Sequence, residues 1–343
     1  MATNPRLSKT LGALLGVHTG DSLGATLEFL PWAHIKSLHP TGLREIVGGG
    51  PFSWPAGSAT DDTDLTRAVL LAYSDRKKNQ NQKKEKADHH EKGDEFDVAR
   101  AAADYSVDWF TGKWPGREMG SEPVDIGGAT SVGLLNYQST GNPKTSGAGQ
   151  GSAGNGSLMR CIPTALFTST PEKRIEESMA ISTFTHNDVR CTVSCAAYNE
   201  IVAALVDGKT VQEAVDMGKQ IAEALDCPAV ATAIERGEGM SIQRIASKGP
   251  GKELPDRTSG YVLQSLTVAV AALLDPRGFE DVLVDVVRIG GDTDTNGAIS
   301  GGLLGARDGA DAIPERWLRD LQFRSEFVNV AMQILEGPTV VQG

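Results

Sequence analysis

Two short acidic clusters carry the densest chemistry in this chain, Thr60-Asp61-Asp62-Thr63 near the front and Gly291-Asp292-Thr293-Asp294-Thr295 near the back. Carboxylates gathered in one cleft repel each other and are driven toward protonation unless positive charge, such as two divalent cations, sits between them. Asp61 and Asp62 are adjacent, so their side chains diverge and can reach two separate cations. Asp292 and Asp294 lie two apart and share a side on an extended approach to a helix. Thr60 adds a neutral oxygen. A hard cation such as Mg²⁺ takes about six oxygen ligands at roughly 2.0 to 2.1 Å, usually with some water retained. The competing explanation is a helix N-cap, which favours the same residue types. It is the better account of either cluster alone, but the two together hold more carboxylates than caps use.

Other segments offer weaker chemistry. Asp292 to Gly297 matches the first half of an EF-hand loop, but the twelfth position, which must be Glu, is Leu303. Gly149 to Gly154 fits GxGxxG without a preceding strand, so a dinucleotide fold is discarded. Asp21 and Glu28 sit two turns apart on one face if their helix continues. Glu28, amid apolar neighbours, is either a buried general acid or base with a raised pKa or an ordinary structural Glu. Gly154-Asn155-Gly156-Ser157 turns into an apolar helix expected at Cys161 to Phe167. Free N–H groups there would suit a phosphate, although Asn-Gly is also an ordinary tight turn. His186 lies near another helix start, where a lone His is more often structural.

The elements that must position these residues read as helices. Helical periodicity runs through Leu7 to Val17, Asp97 to Phe110, Ala196 to Val206, Val211 to Leu225 and Tyr261 to Leu274, without a convincing strand, which predicts a single all-α domain over residues 1–343. Gly297, Gly301 and Gly305 recur at every fourth position and strip one helix face of side chains, so a neighbouring backbone is expected to press against it. Residues 75–97 are almost free of apolar side chains and read as a mobile insertion, in which His89-His90 is a solvated pair rather than a metal site. Thr140 to Ser157, rich in Gly and Ser, reads as a flexible loop.

Composition narrows the partners. With 33 Lys and Arg against 44 Asp and Glu, the net charge of -11 argues against nucleic acid or an anionic membrane as main partner. Cys161, Cys191, Cys195 and Cys227 form no CxxC pair and read as reduced core thiols. The N-terminus is interrupted by Gly, His and Asp before any long apolar run, so neither a signal peptide nor a span fits it. An intracellular protein is expected, cytoplasmic or nuclear. A monomer is the favoured state.

Taken in order, GDSLGATLEF at 20–29, SATDDT at 58–63, VDIGGATSVGL at 124–134, GNGSLMR at 154–160, STFTHND at 182–188, SGYVLQSL at 259–266 and GGDTDTNGAISGGLLGA at 290–306 resemble the ADP-ribosylglycohydrolase family, and most closely its dinitrogenase reductase-activating branch. The resemblance implies a compact all-α fold with two Mg²⁺ or Mn²⁺ ions at the bottom of a cleft that accepts ADP-ribose. It places metal ligands at Thr60, Asp61, Asp62, Asp292, Asp294 and Thr295, with Asp61 and Asp292 also serving catalysis, and the family's mobile glutamate at Glu28. It further implies a pyrophosphate-facing loop at Gly154, Asn155, Gly156 and Ser157, a distal-ribose contact at His186, and an adenosine-side residue at Tyr261. Asp125 matches a position facing the leaving group in the arginine-directed branch, or else is a helix cap. The implied activity is metal-dependent removal of ADP-ribose from a protein side chain, arginine first, with serine or another O-linked acceptor as the alternative. A non-catalytic ADP-ribose-binding relative is the competing class. A helical HD-type phosphohydrolase is disfavoured because the sequence has no His-Asp pair.

Overall fold

The computed structural model describes residues 4–85, 95–255 and 258–336. The local sequence explains most helix starts. α1 (Pro5–Gly24) opens on an Asn4 side-chain cap and a proline, and α2 (Trp32–Leu38) follows Pro31. α3 (Asp61–Glu85) begins at the front acidic cluster, α4 (Val98–Phe110) on the Asp97 cap, and α5 (Gly128–Thr140) ends on left-handed Gly141. After the short α6 (Ile162–Phe167), α7 (Pro171–Thr183) and α8 (Val189–Val206) start on Thr170 and Asp188 caps. A Thr210–Glu213 capping box opens α9 (Val211–Ala224), followed by α10 (Pro228–Glu238) and α11 (Ile242–Lys248). α12 (Val262–Leu274), α13 (Phe279–Val287), α14 (Thr293–Asp308), α15 (Glu315–Leu318) and α16 (Arg324–Glu336) complete the order. No strand forms among the described residues, only isolated β-bridges.

One contact organises this array. The expected close approach to the α14 glycines is made by α1, which has its own glycines at 12, 16, 20 and 24. The two helices run antiparallel with backbone against backbone. A Cβ on Gly16 would stand 2.1 Å from the Gly301 carbonyl oxygen, one on Gly20 1.9 Å from that of Gly297, and one on Gly305 1.9 Å from that of Gly12. Those distances are impossible for real atoms, so the pair packs more closely than any side chain permits. The seam ends at Gly24 beside Thr293, whose hydroxyl donates to the Gly24 carbonyl at 2.7 Å. It therefore delivers the end of α1 to the start of α14, where the back acidic cluster lies.

Three expectations need adjusting. α1 stops at Gly24, so Asp21 and Glu28 do not share a helical face; Glu28 sits in the turns that follow. Residues 75–85 continue α3 as helix, in keeping with the helix propensity of Lys, Gln and Glu, while 86–94, including His89 and His90, lie outside the described residues. The 140–157 stretch is irregular but tied down, with Ser146 Oγ donating to the Phe184 carbonyl at 2.8 Å and Ala148 bridging His186. All four cysteines are free and buried. Among the described residues, α8 alone is long and apolar enough to cross a membrane, and 89% of that segment is buried in the core.

Gly16→Ala is expected to cost at least about 3 kcal/mol, the upper range for overpacking, because backbone cannot yield as a side chain can. Gly149→Ala, where a Cβ meets nothing within 4 Å, should stay within about 0.5 kcal/mol. Urea unfolding of both variants checks the contrast.

Candidate metal centre and its cavity

The front cluster is held by a residue from α1. Asp21 Oδ2 accepts from the backbone N–H of Thr60 (3.1 Å) and Thr63 (3.2 Å) and from the Thr63 hydroxyl, so the exposed donors at the start of α3 are satisfied from a neighbouring helix. Asp62 is freed from capping. Its Oδ2 receives Thr60 Oγ1 at 3.4 Å and, from the back cluster, Thr295 Oγ1 at 3.3 Å. This last bond shows that the two distant clusters meet.

The back cluster is braced from the other side. Asp292 stands at the N-cap position of α14, and its Oδ2 accepts from Asn155 Nδ2 at 2.7 Å, which is also within 2.9 Å of Ser265 Oγ. The Asp292 backbone N–H donates to Thr258 Oγ1 at 3.1 Å. Glu28, Asp125 and Asp294 each bring a carboxylate oxygen to within 4.8 Å of the other two. Two full charges at that separation repel by roughly 3 kcal/mol at an effective dielectric of about 20.

Burial and mutual repulsion set the protonation of this group. Burial first, then neighbouring carboxylates, push Asp61, Asp62 and Asp294 well above the usual range. Asp125 is raised by burial and by Asp292, and Asp292 by burial. Burial lifts Asp21 to about 6, and burial followed by Asp125, Asp292 and Asp21 lifts Glu28 to about 8. Four of these residues also keep a buried oxygen without a hydrogen-bond partner, Asp21 Oδ1, Glu28 Oε2, Asp62 Oδ1 and Asp294 Oδ1. Unsatisfied buried oxygens of one sign are expensive. An all-oxygen donor set of this kind fits a hard divalent cation. Caps would have used those oxygens.

A cavity of about 450 Å³ opens over the cluster, lined by Glu28, Asp61, Asp125, Asp292, Asp294 and Thr295 on one side and by Gly154, Asn155, Gly156 and His186 on the other. The His186 ring is buried and held neutral, near pKa 3, by burial and by Arg160. Its Nδ1 lies 2.8 Å from Thr185 Oγ1. Glycine is needed opposite it, since a Cβ on Gly156 would lie 2.9 Å from Thr130 Oγ1 and 3.0 Å from His186 Cε1. Phe29, on the same wall, holds left-handed backbone at φ 63° and donates its N–H to the Gly291 carbonyl at 2.7 Å. Such a conformation costs roughly 1 to 3 kcal/mol in a non-glycine residue.

Two expected residues do not join this wall. Ser157 turns into the core, where its Oγ receives Ser182 Oγ at 2.9 Å. Tyr261 bridges Gly154 through its backbone, but its ring lines a neighbouring cavity of about 710 Å³, and its hydroxyl is 3.4 Å from Arg190. Two organisers were not singled out from sequence. One is Asp21 as an interhelical cap. The other is Arg160, fully buried, whose guanidinium donates to the Gly156 and Ile181 carbonyls (2.6 and 2.9 Å) and to Thr185 Oγ1 (2.6 Å), tying the Gly154 turn to the His186 segment. An Arg directly after an apolar turn was the available signal.

A sequence model of the ADP-ribosylglycohydrolase family matches residues 2–342. The chain is 27% identical over 319 residues to ADP-ribosyl-[dinitrogen reductase] glycohydrolase of Rhodospirillum rubrum, covering 93% of this chain and 92% of that one. It is 27% identical over 331 residues to ADP-ribosylarginine hydrolase Tri1 of Pseudomonas putida (strain GB-1), covering 96% and 78%. A solved structure described as an ADP-ribosylglycohydrolase-related protein complex superposes with a TM-score of 0.76 at 27% identity, covering 97% of this chain and 99% of that one.

The raised carboxyls have a consequence for stability. In the cation-free protein they bind protons more tightly folded than unfolded, so their favourable contribution is present at acid pH. It is lost as pH rises from about 4, their unfolded range, through about 6 for Asp21 and about 8 for Glu28. Chelator-treated protein should melt at progressively lower temperature between pH 5.5 and 8. Added Mg²⁺ should restore more at pH 8 than at pH 5.5. Thermal melts across that range, with and without the cation, test both signs.

Proposed function

Because the chain belongs to the ADP-ribosylglycohydrolase family, we propose that it hydrolyses the bond joining ADP-ribose to a protein arginine, with two Mg²⁺ or Mn²⁺ ions in its acidic cluster. The observation that carries this reading is the joining of Thr295 and Asp62 beneath a cavity in which buried carboxylate oxygens lack partners. The similar proteins from Rhodospirillum rubrum and Pseudomonas putida are named for ADP-ribosyl glycohydrolase and ADP-ribosylarginine hydrolase activity, which supports arginine as acceptor.

Thr60, Asp61, Asp62, Asp292, Asp294 and Thr295 would hold the cations. When bound, divalent cations supply positive charge that can fix ribose hydroxyls and acidify a water. The chain's own groups do the rest. Gly154 to Gly156 and neutral His186 shape the opposite wall for the distal ribose and the pyrophosphate, and Asn155 keeps Asp292 in place. Cleavage at the anomeric carbon develops oxocarbenium character while the departing nitrogen needs a proton. Glu28, buried with one oxygen unsatisfied and raised first of all by burial, a cause that bound cations do not remove, would carry the proton to the departing nitrogen. Asp125, beside it in the cavity, presents a carboxylate suited to a guanidinium.

Release of ADP-ribose from arginine-linked and serine-linked peptides, with Mg²⁺, Mn²⁺ or chelator, tests the assignment. Turnover confined to serine linkage would refute it. Glu28→Gln should keep ADP-ribose affinity and lose roughly 10² to 10⁴ in turnover, and an unchanged rate would remove Glu28 from proton transfer. Asp292→Asn should raise the cation concentration needed for half-activity and lower the rate together. Calorimetric titration with Mn²⁺ checks the first of these.

A further inference from the structure

A second cavity, of about 480 Å³, lies on the other side of Asp61 and Asp125, which line both. Its wall is acidic. Asp64 is committed, accepting indole N–H bonds from Trp109 and Trp114 at 2.8 and 2.7 Å. The lone cation on that wall is committed too, because Arg117 donates to the Trp109 and Ser121 carbonyls, both at 2.6 Å. Glu118 and Glu122 are exposed and form no ion pair among the described residues. Asp61, only 7% exposed, makes no side-chain hydrogen bond there and faces the space from its floor. Beside the two glutamates stand the exposed apolar side chains of Met119 (74%) and Val124 (60%). Together with the unpaired glutamates, these two side chains offer both charge and apolar surface, a mixture that complements a peptide better than a small polar ligand.

We propose that this second cavity is the berth for the acceptor polypeptide, and that it selects basic residues flanking the modified arginine. The inference rests on the arginine-directed reading above and extends it from the bond cleaved to the segment recognised. The geometry divides the substrate where Asp61 and Asp125 line both cavities, with ADP-ribose in the first, the guanidino group beside Asp125, and the peptide leaving through the second. Free Glu118 and Glu122 then meet cationic neighbours on the peptide, while Met119 and Val124 cover its apolar side chains.

The test uses the full chain and pairs of ADP-ribosylarginine peptides differing only in their flanks, Lys and Arg in one and Glu in the other, with free ADP-ribosylarginine as a third substrate. For the native protein, KM should be about tenfold lower for the basic peptide at low salt, narrowing as salt is added. In the Glu118→Lys, Glu122→Lys double variant the preference should vanish or invert. Equal KM values in the native protein, or a preference surviving the double substitution, would overturn the proposal. Cleavage of free ADP-ribosylarginine but of neither peptide would overturn it alone. Failure to cleave any of the three would remove the arginine reading and this inference with it.

Discussion

Backbone contact between α1 and α14 is the constraint from which the site follows. Helices separated by side chains can slide or rotate by small repacking steps, because their knobs are flexible. Two helices touching carbonyl to Cα have no such freedom. Glycine at every fourth position of both gives up helix propensity, up to about 1 kcal/mol per residue relative to Ala. The return is a fixed register between residues far apart in sequence. That register places Gly24 on Thr293 and Asp21, one turn back, beneath the front cluster. Each end of the centre is thus pinned to the same seam.

The seam explains how so many carboxylates can be buried together. Asp21, Asp61, Asp62, Asp292 and Asp294 stand at or against helix N-termini, where backbone N–H groups and the helix dipole favour negative charge. Helix ends offset only part of the burial and repulsion that raise their pKa values. The remainder leaves oxygens with no donor from the protein. An uncompensated electrostatic demand of this kind can be met by protonation, which silences the site, or by cations, which arm it. On the proposed reading, cation affinity would be drawn from the unmet charge that the glycine seam brings together.

Much of this was legible in the chain, and the failures have physical causes. The acidic clusters were readable because no cap needs so many carboxylates, and the α14 glycines because a bare helix face demands a close neighbour. The neighbour itself went unread although Gly12, Gly16, Gly20 and Gly24 repeat the same spacing. Single-helix periodicity says which face is bare, not which other face meets it. Asp21 was paired with Glu28 on an assumed continuous helix, whereas Thr293 packing at Gly24 ends α1 and the left-handed Phe29 redirects the chain. Tertiary contact decided that break. Ser157 was read with its glycines as one turn, but the Ser182 hydroxyl, from a segment distant in sequence, claims it for the core. Residues 75–85 lack apolar side chains yet have good helix formers and an anchored helix to extend, so their propensity prevails.

The parts of the site come from two kinds of element. The residues that would hold cations lie at the starts of α3 and α14 or just before them, locked through Asp21, Thr295 and the glycine seam. Glu28, Asp125 and the Gly154 turn lie outside helices, and the turn is pinned by bonds from Asn155 to Ser265 and Asp292 and from Arg160 to Gly156. Were the proposed cations Mg²⁺, their positions could not drift, because its coordination geometry is strict. A proton carrier must follow the leaving atom as the bond lengthens, and a residue set on a turn can do so at little cost. Its place just past the last glycine of α1 gives Glu28 a fixed origin beside the seam.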